Sequence, residues 1–224
     1  MKHRSLVVAA AACLVVTGVA PAVLAAPLAG PSSTSVSLST AQSAYGQRVT
    51  ATAVVSTPGE PPQGDVVFTV DGTAIKANLG GGGTATVGLP RLLVGEHPVS
   101  ATFVPQFPAS QQGSTSPVQD WVVVQVRTRL QLRVIGKGVR IPTSVQVKAA
   151  GEYGSLPTGR VKLELRRIRS GDTVRAARRL SSTGVALVDL GRLRKGRYRL
   201  VVTYAGDSQH LLERQFTRFR VPQR

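Results

Sequence analysis

Gly64-Asp65-Val66-Val67-Phe68-Thr69-Val70-Asp71-Gly72 is the stretch on which the fold turns. Val66, Phe68 and Val70 alternate with polar or smaller residues. Period-two spacing of this kind places one side of a strand on a core and the other in water. Asp71-Gly72 then closes the run with a tight-turn pair, because glycine tolerates positive φ. The same alternation recurs on either side. Val49, Ala51, Ala53 and Val55 share a face of Arg48–Val55, and His97, Val99, Ala101 and Phe103 share a face of Glu96–Val104. With Thr34–Ser39, Asp65–Asp71, Ala74–Leu79, Gly83–Leu89 and Val118–Val126, these make a series of short strands separated by turn chemistry. Gly80 to Gly83 forms a loose corner that cannot continue a strand.

The pattern is used twice. Val145, Val147 and Ala149 answer Val49, Ala51 and Ala53. Gly159, Val161, Leu163 and Leu165 answer Gly64, Val66, Phe68 and Val70. Gly196, Tyr198, Leu200, Val202, Thr203 and Tyr204 answer Gly95, His97, Val99, Ala101, Thr102 and Phe103, and Leu89-Pro90-Arg91-Leu92 is matched by Leu190-Gly191-Arg192-Leu193. One ordering of strands and turns used twice is a domain duplication rather than a short solenoid repeat. About seven strands in about 100 residues, with regular turn signals, predict a β-sandwich of immunoglobulin type. The expected fold is all-β, with two tandem immunoglobulin-like β-sandwiches, 34–126 and 127–224. Residues 26–33 read as a flexible segment ahead of them. No Gly/Ser- or Pro-rich linker separates the two units near Val126-Arg127, which predicts a stiff junction. The cysteine–tryptophan–cysteine signature of antibody domains is absent, and Trp121 sits in the last strand of the first unit.

Tyr45-Gly46-Gln47-Arg48-Val49-Thr50, then Gly64 to Gly72, then Gly95 to Phe103 resembles the bacterial Ig-like repeat domain of exported actinobacterial proteins. Pro157-Thr158-Gly159-Arg160-Val161 and Gly196 through Tyr204-Ala205-Gly206-Asp207 are similar to the same pattern. The resemblance covers about residues 34–221. It implies surface spacer, adhesion or accessory modules, usually without catalytic residues. Both units depart from the pattern. The second has Val139-Arg140-Ile141-Pro142 in place of the Tyr-Gly-Gln turn, and the first has Val104-Pro105-Gln106 in place of the Gly-Asp turn after its penultimate strand.

Residues 1–25 read as a secretory signal peptide. Lys2, His3 and Arg4 precede the uncharged apolar run Ser5 to Ala20, Pro21 breaks it, and Val23-Leu24-Ala25 offers a small-residue cleavage pattern. The alternative is an uncleaved anchor, but the run is shorter than the ~20 residues a spanning helix needs. Cys13, the one cysteine, lies inside this run and would leave with it, so the mature chain would fold without disulfides. No other stretch is apolar enough to cross a membrane. The expected location is outside the cell or at its envelope.

Charge divides the two units. Residues 26–126 carry three basic residues (Arg48, Lys76, Arg91) and five acidic ones (Glu60, Asp65, Asp71, Glu96, Asp120). Residues 127–224 carry 23 basic and six acidic residues, in a chain of formal net charge +17. Strand parity turns this charge outward. With Val161, Leu163 and Leu165 inward, Arg160, Lys162 and Arg166 face water, and the same logic exposes Arg197 and Arg199, then Arg218 and Arg220. In an immunoglobulin-type topology these strands share a sheet, so the seven residues form one basic face. Arg167, Arg169, Arg175, Arg178 and Arg179 on the next edge would extend it. Guanidinium forks match phosphate, sulfate and carboxylate oxygens bidentately. The partner chemistry this suggests is an anionic cell-wall polymer or glycan. The alternatives are a specific extracellular protein, or a solvated face with no partner. Nucleic acid fits export poorly, and Tyr198 and Tyr204 read as core rather than as a stacking platform.

Catalysis has little support in the sequence. The mature histidines are His97 and His210 only. His97 occupies the inward position of Tyr198. Asp207-Ser208-Gln209-His210 holds triad residue types within four neighbours, whereas a working triad draws them from separate elements. Asp207 more naturally caps a turn by accepting backbone N–H bonds. No histidine pair has metal-ligand spacing, the acids are scattered, and Gly80 to Gly83 lack the Lys-Ser/Thr and helix of a phosphate loop. The expectation is an exported protein with no enzymatic activity and no cofactor. Its role would be structural or adhesive at the cell envelope, with a soluble secreted module for a protein partner as the alternative.

Overall fold

Alternating burial builds two stacks of sheets. The computed structural model describes residues 29–223, so the segment read as a signal peptide, Cys13 within it, and residues 26–28 lie outside the described residues. In the first half, β1 (Ser33–Leu38), β3 (Thr50–Ser56) and β6 (Thr84–Gly88) form one antiparallel sheet in the order β1-β3-β6. The facing sheet runs β2-β9-β7-β4-β5, from β2 (Gln42–Ala44), β4 (Gly64–Val70), β5 (Thr73–Asn78), β7 (Gly95–Pro105) and β9 (Gln119–Val124). A two-residue strand, β8 (Ser114–Thr115), pairs with the far end of β7. Between the sheets lie Val49, Ala51, Ala53, Val55, Val66, Phe68, Val70, Val99, Ala101 and Phe103, all buried. They are the residues that period-two spacing turns inward.

The second half repeats the plan with a difference. β10 (Thr128–Ile135), β11 (Ser144–Gly151) and β14 (Val185–Asp189) form the sheet β10-β11-β14. β12 (Arg160–Arg167), β13 (Thr173–Arg179), β15 (Gly196–Tyr204) and β16 (Glu213–Val221) form β13-β12-β15-β16. A separate core of Val145, Val147, Ala149, Val161, Leu163, Leu165, Tyr198, Leu200, Val202, Tyr204, Phe219 and Val221 fills the space between them. Apart from one short 3-10 turn, Glu152–Gly154, the described residues form no helix, and none is long and apolar enough to cross a membrane.

Turn chemistry sets the repeat. Asp71 and Gly72 both have positive φ, 48° and 77°, as a two-residue hairpin with the right twist requires. At the corner into β6, the Val55 N–H donates to the Gly83 carbonyl over 2.8 Å. At the equivalent corner into β14, the Ala149 N–H donates to the Gly184 carbonyl over 2.8 Å. A Cβ on either glycine would strike a carbonyl oxygen of the facing strand.

The expectation of a flexible 26–33 fails for its last residues. The Gly30 N–H donates to the Ser110 carbonyl, the Gly30 carbonyl accepts from the Gln112 N–H, and Ser33 already belongs to β1. Two short strands escaped the periodicity, β2 and β8. β2 lies parallel to β9 along its free side, with Gln42, Ser43 and Ala44 opposite Val122, Val123 and Val124. In the second half, among the described residues, no strand occupies that place.

Candidate functional site

The outer face of β13-β12-β15-β16 carries the charge. Arg160, Lys162, Arg166, Arg197, Arg199, Arg218 and Arg220 are all exposed. Register sorts them into rows. Arg166 on β12 lies opposite Arg199 on β15, and Arg199 lies opposite Arg218 on β16. One row on, Arg197 lies opposite Arg220, and the Ile168 N–H donates to the Arg197 carbonyl. Side chains opposite one another in neighbouring strands stand ~5 Å apart, so these five guanidinium groups form one cluster. They line a shallow groove of about 720 Å³ with Ile168, Tyr198 and Phe219.

Arg160 and Lys162 share the face but not the cluster. The next row contains Arg175, Glu164, Val201 and Phe216, and Arg175 pairs with Glu164 at 3.7 Å. Beyond it, Lys162 is level with Thr203 and Arg214, and Arg160 is level with Arg179. Arg214 therefore joins the face, although the sequence reading did not include it. The pairing of β16 back to Tyr204 reveals it. Among the described residues none of the seven candidates makes an ion pair. The Arg199 guanidinium does lie over the exposed Phe216 ring, 5.2 Å from its centre.

Two residues expected to extend the face do not. Arg167 is level with Tyr198, on the other side of β12. Its guanidinium donates to the Lys195 carbonyl at 2.8 Å and lies 3.7 Å from the Asp172 carboxylate. Arg178 is level with Val161 and shares that strand face, exposed only because β13 is an edge. In each case the alternation of the strand decides the side.

The first half holds the opposite charge at the same lattice points. On its β4-β7-β9 surface, Asp71 follows β4 where Arg166 stands in β12, and the Asp71 N–H donates to the Pro98 carbonyl. Pro98 is level with Asp120, as Arg199 is with Arg218, and Glu96 is level with Val122, as Arg197 is with Arg220. Asp120 and Glu96 thus stand on the outer face where the second half has Arg218 and Arg197, while Asp71 lies in the positive-φ turn after β4 and bonds the inward-facing His97.

A second constellation sits where the halves meet. His210, 2% exposed, has Nδ1 2.8 Å from Asp207 Oδ1 and Nε2 3.0 Å from Ser155 Oγ. These are the contacts of a Ser–His–Asp relay, with Ser155 taking the place that sequence proximity offered to Ser208. Its surroundings are those of a structural lock. Ser155 Oγ also donates to the Glu152 carbonyl at 2.9 Å, and a Cβ on Gly151 would overlap both the hydroxyl and the imidazole. Ser155 and His210 are both buried, 5% and 2% exposed. Asp207 accepts from the backbone N–H groups of Gln209 and His210, both at 2.8 Å, so it does cap the turn before β16. Burial alone would favour its neutral form. The Thr158 and Gln209 N–H groups, the His210 ring and the Thr158 hydroxyl outweigh burial and hold the carboxyl well below the ordinary aspartate range.

The lock reaches the first half. The Val126 N–H donates to the Gln209 carbonyl, and the Leu211 N–H donates to the Val126 carbonyl. The Gln209 side chain accepts from the Val94 N–H at 2.7 Å, and the Tyr45 ring meets His210 edge-on at 5.8 Å. His97, buried at the rim of the first core, bridges Asp71 at 2.7 Å and the Leu93 carbonyl at 2.8 Å. Among the described residues no group of three or more metal-ligating side chains occurs.

Two stacked, mainly antiparallel sheets with this strand order define an immunoglobulin-like β-sandwich, present here in tandem. Residues 36–125 match the family model of the bacterial Ig-like domain (group 3). No curated protein matches the sequence. Among solved structures, the chain is similar to the tetra-tandem repeat in the extending region of a large adhesion protein. The identity is 15% and the TM-score 0.45, over 86% of this chain and 49% of that one, so the chain spans about half its length. It is similar to the Yersinia pseudotuberculosis adhesin InvE at 15% identity and a TM-score of 0.37, over 83% of this chain and 58% of that one. It is also similar to a two-domain fibronectin type-III segment of chicken tenascin at 10% identity and a TM-score of 0.42, over 83% and 97%.

Proposed function

We propose that this chain is an exported, non-catalytic surface protein with two units, 34–126 and 127–224. The second unit docks on an anionic polymer outside the cell through the Arg166, Arg197, Arg199, Arg218 and Arg220 cluster. The first unit acts as a spacer or protein-contact module, and the Val126–His210 lock keeps the two in fixed relation. The observation that carries this reading is the inversion of charge at equivalent positions. A genome-wide preference for arginine would act on both halves alike, yet Asp120 and Glu96 stand where the second half has arginine. Clustered guanidinium groups without carboxylate partners suit repeated phosphate or uronate groups, each fork donating to two oxygens.

The test is retention of the protein on purified cell-wall polymer as salt is raised. Binding through several phosphate-type contacts falls steeply with salt. Replacing Arg166, Arg199 and Arg218 together by serine should weaken retention at least tenfold and flatten the salt dependence. Outward surface changes of this kind typically alter stability by only about 0.5 kcal/mol, so the fold should persist. Retention that ignores salt, or that the triple variant shares, would reject the reading.

A further inference from the structure

The sheet that carries the cluster ends in β16, whose outer backbone groups no other strand bonds among the described residues, although Val126 and Thr128 bond to the segment just before it. β16 runs unbroken from Glu213 to Val221 and bonds to β15 on one side. Among the described residues no strand pairs with its other side.

The first half shows how the corresponding edge is closed. His97 is level with Trp121 as Tyr198 is with Phe219, so β8 and β9 together correspond to β16. There the strand is interrupted at Ser116-Pro117, the side chains of Ser32 and Thr34 bond to Ser114, and β2 lies parallel along Val122–Val124. In the second half the Thr128 hydroxyl still donates to the Leu211 carbonyl at 2.9 Å, as Thr34 bonds to Ser114, but among the described residues β16 has neither the interruption nor the added strand. The connection 136–143 is shorter than 39–49 and turns back onto its own end of the sandwich. The Thr143 hydroxyl donates to the Gly136 carbonyl at 2.6 Å, and the Thr143 N–H donates to the Gly191 carbonyl. This is the place where the sequence has Val139-Arg140-Ile141-Pro142 instead of a Tyr-Gly-Gln turn.

The direction of the free backbone groups follows from the register. Arg197 turns its carbonyl to β12, where Ile168 donates to it. Successive residues of a strand present their backbone groups to opposite sides, so Tyr198 faces β16 and is met by Phe219. Arg214, Phe216, Arg218 and Arg220 then point their N–H and C=O groups to the open edge. The first half agrees. Val122, the counterpart of Arg220, donates its N–H to Ala41 on the β2 side. The residues with free backbone groups are thus the same ones whose side chains, three of them arginine, stand on the outer face.

We propose that this edge accepts an extended acidic segment of a partner protein as an added strand, parallel to β16 as β2 is to β9. Main-chain bonds supply the affinity of such pairing, and alternate side chains supply its specificity. A residue opposite Arg214, Arg218 or Arg220 lies on the outer face beside a guanidinium, so carboxylates are favoured there. One opposite Phe216 meets an exposed ring, so an apolar residue is favoured there. A second copy of β16 is disfavoured, because antiparallel self-pairing about Thr217 sets Arg214 against Arg220. The inference does not depend on the polymer reading, since it requires backbone pairing and not charge alone.

The experiment uses the intact chain and a capped peptide, Glu-Thr-Leu-Thr-Glu-Thr-Glu, followed by amide hydrogen exchange in NMR spectra. Strand addition slows exchange at the amides of Arg214, Phe216, Arg218 and Arg220 by about tenfold or more. It leaves Gln215, Thr217 and Phe219, already bonded to β15, unchanged. In the parallel arrangement the threonine amides of the peptide face β16. Methylating those nitrogens keeps every charge and should weaken binding by about tenfold or more, since about 1.4 kcal/mol of lost hydrogen bonding is a factor of ten. Equal binding of the methylated peptide would mean contact by charge alone and would overturn the proposal while leaving the polymer reading intact. No binding, binding without the alternating protection, or self-association of the chain through β16 in sedimentation would overturn it as well.

Discussion

Asp207 is the residue on which the most contacts converge. It holds the turn before β16 through two backbone N–H groups, orients His210, and accepts from both the N–H and the hydroxyl of Thr158 at 2.8 and 2.9 Å. Replacing it by alanine leaves those donors without an acceptor beside a buried imidazole. The expected loss is about 3 kcal/mol in urea denaturation. Its carboxyl is held below the ordinary value of 3.8, so the ionised form is the one the fold stabilises. The contribution is whole above that value and falls away as acid carries the pH down through it toward the lower folded value. The wild type should therefore lose stability below about pH 4 more steeply than Asp207→Ala does. Tyr204 gives the opposite result. Its hydroxyl is buried without a hydrogen-bond partner, and burial, together with the Asp207 carboxylate nearby, pushes the phenol far up. Removing an unsatisfied hydroxyl relieves a desolvation cost. Tyr204→Phe should leave the melting temperature unchanged or raise it by a few degrees, corresponding to at most about 1 kcal/mol.

Strands and corners follow a simpler logic. Gly184 has φ of 72°, and a side chain there would strike the Ala149 carbonyl oxygen, which belongs to the bonded pair that starts β14. Gly184→Ala should cost about 2 kcal/mol by thermal denaturation, and Gly83→Ala should cost a similar amount in the first half. Gly171, also at positive φ, meets nothing within 4 Å, so an alanine there costs only the backbone term. The long strands were legible because one-sided burial writes a period of two into the chain. Val161, Leu163 and Leu165 in, with Arg160, Lys162 and Arg166 out, is visible without coordinates. The rows of arginines were legible to the same depth, since parity gives the face and the duplicated topology gives the neighbours. What stayed hidden depends on distant pairing. β2 is too short to show any period, and its partner is β9, far along the chain. Ser155 joins His210 from another element, so no local pattern announces it. Arg167 turns to the inner side of β12 because it follows Arg166, which faces outward, and proximity in sequence does not reveal that alternation.

At the scale of the whole molecule, unlike charge on like architecture makes the two halves respond differently to ions. Arg166, Arg199 and Arg218 stand side by side with no carboxylate between them, within a half that carries 23 basic and six acidic residues. Their mutual repulsion opposes folding of the second sandwich, because the unfolded chain lets the charges separate. Salt screens repulsion between exposed charges over about 10 Å at 0.1 M, which spans the neighbouring rows of the cluster. Raising sodium chloride from about 0.01 to 0.3 M should therefore lift the unfolding temperature of the second sandwich by a few degrees, while the first, nearly balanced, moves little. The Arg166, Arg199 and Arg218 to serine variant should start higher at low salt and lose most of the increase. An anion that binds the guanidinium forks adds a second term, because a ligand of the folded state alone stabilises it by mass action. Sulfate at equal ionic strength should then raise the second transition above the chloride value in the wild type and not in the variant. Calorimetry reads both effects in one scan, provided the Gln209, Val126 and His210 contacts do not fuse the halves into one transition. Exchanging Gln209 for alanine removes the side-chain bond to Val94 and separates the two transitions if they coincide. A second transition that ignores both salt and sulfate would mean that the arginine rows are solvated and electrostatically inert, and the docking surface would have no physical basis.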